Sequence, residues 1–407
     1  MKSKRIMLII PELMMGGAQR SLSKLSVELA RHHQVWVVVF NTRDGIAYAH
    51  GGELVSLEVM HGESLVQKVI SFFQRIIRLR RLKRELAIDV AISFLEGADY
   101  VNILSRRSEK IVVSIRGSKQ YDDNIAGQYA WVRKKILIPW LYRMADTIVT
   151  VNHGIAQELK LQYGLSSTHI ETIGNFYNLS EIEKLAAEPK RKAEEDFYQN
   201  PVIITTGRFA PEKGLVALLH IFSGLKRSHD NLKFILVGDG PLKKDILVTC
   251  LQLKLSVHEG FDFAELPDVV IAGPQENVFK YLKGATLYVM NSSSEGFPNG
   301  LAEAMICRVP VASSDCPYGP REILAPEFQF TSSVVEPYSA SYGLLLPMIH
   351  SENDHPLWIE SLNALLRDPN QLSKLSDQGY TRIRQFSLDS SMDQWNNVLH
   401  VTTGDKS

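Results

Sequence analysis

Residues 287–305 read LYVMNSSSEGFPNGLAEAM. The apolar run Leu287–Met290 has the length and composition of a strand buried on both faces. Glycine and proline then break the pattern, and a helix is expected to begin near Asn299. In such a strand–loop–helix unit the helix N-terminus aims backbone N–H groups at an anion, a phosphate above all. Glu295 falls in the loop and Glu303 about one turn into the helix, so both carboxylates can face one site as acceptors for sugar hydroxyls. The bland alternative makes Glu295 a cap and Glu303 a surface residue, and the other motifs of the chain weigh against it.

Outward from this unit the same alternation recurs. Strands are expected at Ile6–Ile10, Val35–Phe40, Val90–Phe94, Ile111–Ile115 and Thr147–Val151, and again at Val202–Thr206, Lys233–Val237, Val269–Ala272 and Val309–Ala312. Strands separated by helical patterns give an α/β protein of parallel sheets covered on both faces. At 407 residues the chain exceeds what one core supports, so two domains are expected. The polar stretch 185–200 (LAAEPKRKAEEDFYQN), followed by Pro201, reads as their border, near residue 195. The segment from Leu357 to Leu399 reads as helical, with Phe386, Met392 and Trp395 as apolar anchors.

Composition excludes several classes. Hydrophobic residues make up 45% and charged residues 22%, too apolar a mixture for a disordered chain. Lysines and arginines number 45 and so do aspartates and glutamates, which leaves no field for general nucleic-acid binding. Cys250, Cys307 and Cys316 have neither zinc-ligand nor disulfide spacing, as suits a reducing cytoplasm. Lys2, Lys4 and Arg5 before Ile6–Ile10 imitate the start of a leader, but Pro11 and Glu12 cut the apolar run, which reads as a first buried strand. No stretch reaches the ~18 apolar residues of a membrane-spanning helix.

Ligands of open parallel sheets bind at the carboxyl ends of strands, and three further motifs fall there. Gly16-Gly17, after the first strand, would let backbone amides approach a ligand; a tight turn is the simpler reading of the pair alone. Arg208 and Lys213 bracket the loop after Val202–Thr206, where two cations can neutralise a diphosphate, including charge developing on it as it departs. Gly238-Asp239-Gly240 lacks the third glycine of a dinucleotide fingerprint and reads as a turn.

Neutrality hides an asymmetry. Residues 1–180 carry 24 lysines and arginines against 16 aspartates and glutamates, and the remainder 21 against 29. Much of the excess lies in residues 64–86, where seven cations from Lys68 to Arg84 alternate with apolar residues. Such a helix can lie on an anionic membrane, apolar stripe inserted and arginines on lipid phosphates, or can be a solvated outer helix. Residues 131–143 (WVRKKILIPWLYR) repeat the chemistry.

Taken in order, GGAQR, GRFAPEKG, LVGDGPLK, AGPQENVFKYLKGA and EGFPNGLAEAM resemble the retaining glycosyltransferases of family 4 over nearly the whole chain. The paired glutamates are the most specific element. Residues 313–323 (SSDCPYGPREI) resemble the members that extend lipid-linked oligosaccharides in bacteria. The resemblance implies a GT-B fold, two Rossmann-like parallel-sheet domains facing a cleft: an acceptor domain over 1–195, a nucleotide-sugar domain over 196–375, and a C-terminal helix in 376–407 packing back towards the first. It implies retaining transfer of a hexose or N-acetylhexosamine from a UDP-sugar to a lipid-linked glycan in polysaccharide or glycoprotein biosynthesis. Glu303 would hold the ribose, Glu295 the sugar hydroxyls, Arg208 and Lys213 the diphosphate. Gly16 and Gly17 would add amides, Gly296, Phe297, Pro298 and Asn299 backbone contacts, and Gly273 with Pro274 the base. Many relatives have a histidine where this chain has Arg116, and His153 lies in a loop nearby. With no D-x-D triplet, no metal is required, and UDP-sugar is a substrate rather than a cofactor. The expected place is cytoplasmic, peripheral at the inner face of the membrane through residues 64–86. A non-catalytic nucleotide-binding scaffold and a phosphorylase of the same fold are the alternatives.

Overall fold

Ile6–Ile10 are fully buried, and Arg5–Ile10 is a central strand. The computed structural model describes residues 3–43, 45–60, 62–120, 129–165, 170–327 and 333–400. Within them the first sheet has seven strands, in the order Glu53–Ser56, Gln34–Val39, Arg5–Ile10, Val90–Phe94, Lys110–Ile115, Thr147–Thr150 and Ile170–Thr172, all parallel. The second has eight: Val257–Glu259, Val269–Gly273, Lys233–Val237, Val202–Thr206, Leu287–Met290, Val311–Ser314, Gly343–Leu346 and Tyr338–Ala340, parallel but for the last, an antiparallel edge. The runs Val90–Phe94 and Lys233–Val237 are buried at every position, the pattern of strands covered on both faces. Five strands have no counterpart in the sequence reading. All are short, and Glu53–Ser56, Ile170–Thr172 and Val257–Glu259 are half-exposed edge or near-edge pieces with little apolar signal. The strand expected at Val309–Ala312 lies instead at Val311–Ser314, because Arg308 and Val309 close the preceding helix: the Val309 N–H bonds the Ala304 carbonyl.

The chain divides into two units. One holds the residues up to Asn175 together with those from Asp389 on, the other Phe176–Leu388. The division therefore precedes the polar stretch expected to mark it near 195. That stretch is no free linker: it ends in a short helix, Lys192–Phe197, whose Glu194 is fully buried, bonded to Lys280 and the Tyr281 hydroxyl at 3.2 Å each, and whose Phe197 packs on Phe261. A polar composition conceals one buried carboxylate and one buried ring, which seat the segment in the second unit. At the other end, helix Leu388–His400 buries Trp395, Val398 and Leu399, and Lys4 donates to the Leu399 carbonyl at 2.7 Å.

The basic stretch is a helix, Leu65–Glu85, started by a Ser64–Gln67 capping box. Several of its cations, expected on lipid phosphates or in solvent, bond instead to neighbouring segments of the same unit. Arg75 donates to the Met60 carbonyl at 3.2 Å, Arg78 to that of Glu58 at 2.8 Å, Arg80 to that of Arg106, and Arg81 pairs with Glu85. Lys83, fully buried, bonds Glu109 and Asn102, and burial pulls its ammonium down to about 8. The carbonyls of the irregular segments at 57–60 and 106 thus take hydrogen bonds from these arginines. The outer stripe is instead Val66, Ile70, Phe73 and Ile77, each half exposed or more. A second exposed apolar group, Trp131, Ile136 and Trp140, lies on the run Tyr129–Tyr142, which includes a π-helical stretch at Arg133–Leu137. Among the described residues no helix is long and apolar enough to cross a membrane.

Candidate active site

In the second unit, Lys233–Val237 flanks Val202–Thr206 on one side and Leu287–Met290 flanks it on the other. Strand order reverses there, the position at which open parallel sheets bind ligands at their carboxyl edge, and the loops leaving Val202–Thr206 and Leu287–Met290 are bonded to each other, the Ser293 N–H to the Glu212 carbonyl at 2.8 Å. Lys213 comes from the first loop and Glu295 from the second, and they meet there. Lys213 Nζ lies 2.5 Å from Glu295 Oε1, and the Ser292 hydroxyl donates to the same oxygen at 2.7 Å. Burial pulls the Lys213 ammonium down, but the adjacent Glu295 carboxylate outweighs this and holds it above the usual lysine range. Glu295 Oε2 takes no hydrogen bond among the described residues. One oxygen of the carboxylate is thus fixed and the other can accept from a ligand.

Close backbone approach shapes this edge. A Cβ on Gly300 would lie 2.4 Å from the Thr206 and Tyr288 hydroxyls, so glycine alone lets the first turn of helix Asn299–Ile306 press onto the strand ends. Glu303, 3% exposed, is on that helix. Burial pushes the Tyr288 hydroxyl upward, and Glu295 and Glu303 add to the shift. Gly238-Asp239-Gly240 is more than the turn expected from sequence. A Cβ on Gly238 would lie 1.9 Å from the Gly207 carbonyl oxygen, and the Phe209 N–H bonds the Asp239 carbonyl at 2.8 Å, so the two glycine loops lie backbone against backbone.

The other expected residues fall as follows. Arg208 is exposed beyond the strand Val202–Thr206. Gly273 ends its strand with φ +70°, open space where a Cβ would be, and Pro274 after it. Gly296 follows Glu295, Phe297 is buried, Pro298 caps the helix and Asn299 begins it. Gly16 and Gly17 start helix Gly17–Ala30 of the first unit. Arg116 is internal to that unit: it donates to the Ile173 carbonyl at 3.0 Å, its guanidinium faces Phe94 and Trp395, and burial draws it down to about 9. His153 is the exposed first residue of a helix capped by Asn152.

Sequence reasoning missed Ser292 and Tyr177, neither of which carries a motif of its own, and gave Asp315 no role beyond its place in the stretch 313–323. Asp315 and Arg321 form a buried bidentate pair that braces the loop after Val311–Ser314, and the Tyr318 and Gly319 N–H groups bond the Glu295 carbonyl. Missed too was a charged group in the first unit. Glu96 accepts from Arg133 at 2.5 Å and from Tyr100 at 2.6 Å, with Lys119 at 3.3 Å; burial works to raise its carboxyl, but these partners bring it down to about 2. Beside it Asp99, fully buried, accepts from the Tyr142 hydroxyl at 2.9 Å, and burial pushes it up to about 7.

Two family models match consecutive parts of the chain, Glycosyltransferase Family 4 over residues 15–181 and Glycosyl transferases group 1 over residues 187–342. The chain is 27% identical over 277 residues to an uncharacterized glycosyltransferase of Methanocaldococcus jannaschii, covering 65% of each protein. It is 23% identical over 395 residues to the N-acetylgalactosamine-N,N'-diacetylbacillosaminyl-diphospho-undecaprenol 4-alpha-N-acetylgalactosaminyltransferase of Campylobacter jejuni, covering 94% of this chain and 96% of that one. The crystal structure of Anabaena HepE in complex with UDP matches with a TM-score of 0.71 at 15% identity, over 97% of this chain and 99% of that chain, a likeness of fold.

Proposed function

This chain is a GT-B, family 4-like glycosyltransferase, and we propose that it moves a hexose or N-acetylhexosamine from a UDP-sugar to a lipid-linked glycan with retention of configuration. The observation that carries this reading is the Lys213–Glu295 pair at the reversal of strand order, with the buried Glu303 one helix away. Retaining transfer puts negative charge on the departing diphosphate while the sugar becomes cationic. Lys213, Arg208 and the amides opening helix Asn299–Ile306 meet the first charge. The second develops beside Glu295, whose Oε2 can take the sugar's hydroxyls. Glu303 holds the ribose, and Gly273 and Pro274 leave room for the base. Relatives that support the donor and acceptor are HepE, solved with UDP, and the Campylobacter enzyme, named for an undecaprenol-diphosphate acceptor.

The acceptor's lipid implies a membrane surface, and helix Leu65–Glu85 is the part of the chain suited to it. Insertion rests on its apolar stripe. Arg75, Arg78 and Arg80 hold the helix to its own unit, while Lys68 and Arg84 remain solvent-facing for anionic headgroups. The experiment that tests the transferase reading is NMR of the glycan made from UDP-[1-13C]hexose and an undecaprenyl-diphosphate-linked oligosaccharide. An α-anomeric signal from an α-linked donor is expected, and a β-linked product would overturn retention.

A further inference from the structure

We propose that Tyr177 is a positioning residue for the donor's terminal phosphate, an inference that rests on the donor placement above. Tyr177 is 1% exposed, and its hydroxyl donates to Asn299 Oδ1 at 2.7 Å. Its ring tilts against Phe297 at 6.3 Å between centroids, and Phe297 meets Phe386 edge-on at 5.3 Å. The backbone of Tyr177 is held as well: its N–H bonds the Phe386 carbonyl at 3.0 Å and its carbonyl accepts from the Leu388 N–H at 3.1 Å. The chain enters the second unit at Phe176 and leaves it at Leu388. Entering and leaving segments are therefore bonded to each other, and through one tyrosine they grip the loop 297–299.

Asn299 is the first residue of the helix whose N–H groups face the phosphates in this reading. Fixing its side chain and the ring of Phe297 fixes the angle of those amides. A buried phenol needs a partner for its hydroxyl, and packing alone would be served as well by phenylalanine, so the Tyr177–Asn299 bond supplies orientation rather than bulk. The phosphate nearest the sugar depends on that orientation, whereas the ribose and base, held by Glu303, Gly273 and Pro274, do not.

The test compares UDP with UMP by titration calorimetry on the full chain. Tyr177→Phe should weaken UDP about five- to tenfold, leave UMP within about twofold and leave Tm nearly unchanged. Asn299→Ala should do the same, and the double variant should be no worse than either single one, as for two residues sharing one interaction. Equal weakening of UDP and UMP, unchanged UDP binding, or losses that multiply in the double variant would each overturn the proposal. Glu303→Ala separates it from the donor placement. If that variant binds UDP as wild type does, the placement fails and this proposal with it. If it loses UDP while Tyr177→Phe matches wild type, only the role of Tyr177 fails.

Discussion

Lys213 and Glu295 stand 82 positions apart and share one oxygen with Ser292. If Lys213 stabilises the departing diphosphate, Lys213→Ala should lower kcat/KM by roughly two orders of magnitude with Tm little changed, the size expected when a placed charge is lost; near wild-type turnover would refute the assignment. A second residue-scale prediction concerns Asp99. An ordinary aspartate titrates near 3.8 and this one at about 7, so between those values the folded chain keeps a proton that the unfolded chain has released. Stability should fall as pH rises through that window. Asp99→Asn keeps an oxygen for the Tyr142 hydroxyl and stays neutral, so its Tm relative to wild type should climb from about pH 4 to pH 7; parallel pH curves for the two proteins would contradict this. Lys213 and Glu295, which the structure brings together, stood out in sequence because loop glycines and spacing advertise them. Ser292, Asp99 and Tyr177 were not, since a lone polar residue in an apolar context gives no local sign of the partner that a distant segment will bring.

At the scale of elements, helix Leu65–Glu85 shows how far a pattern can be read. Its existence follows from the interleaving of cations and apolar residues, yet the pattern does not say which stripe turns inward. Arginines are long enough to reach bare carbonyls while their stems cover apolar surface, so a basic face can be the packing face. Replacing Ile70, Phe73 and Ile77 with serine should therefore abolish sedimentation with anionic vesicles, since each buried apolar side chain contributes about 1.5–3 kcal/mol. Binding should survive moderate salt better than a purely electrostatic attachment would. Undiminished sedimentation of the triple variant would make this an ordinary outer helix. The sheets were legible in their central strands for the converse reason: doubly covered strands are continuously apolar, and what escaped were short edges, the short buried strand Gly343–Leu346 and the border segment 185–200, with its hidden Glu194 and Phe197.

Over the whole molecule, if phosphate charge is met by Arg208, Lys213 and a helix N-terminus as proposed, activity should persist in EDTA; loss that magnesium or manganese restores would assign the charge to a bound cation instead. The sequence places the two α/β halves and the order of their motifs, and the family resemblance gives the return of the last helix, while the unit boundary at Asn175 depends on buried contacts that no local pattern reveals. Transfer from a UDP-sugar at the proposed Glu295–Glu303 site is tested by UDP release with a panel of UDP-hexoses and UDP-N-acetylhexosamines on an undecaprenyl-diphosphate-linked acceptor, wild type beside Glu303→Ala. The prediction is acceptor-dependent UDP release by wild type with at least one donor, about a hundredfold slower in the variant. Release of sugar phosphate in place of UDP, or equal rates for the two proteins, would contradict it.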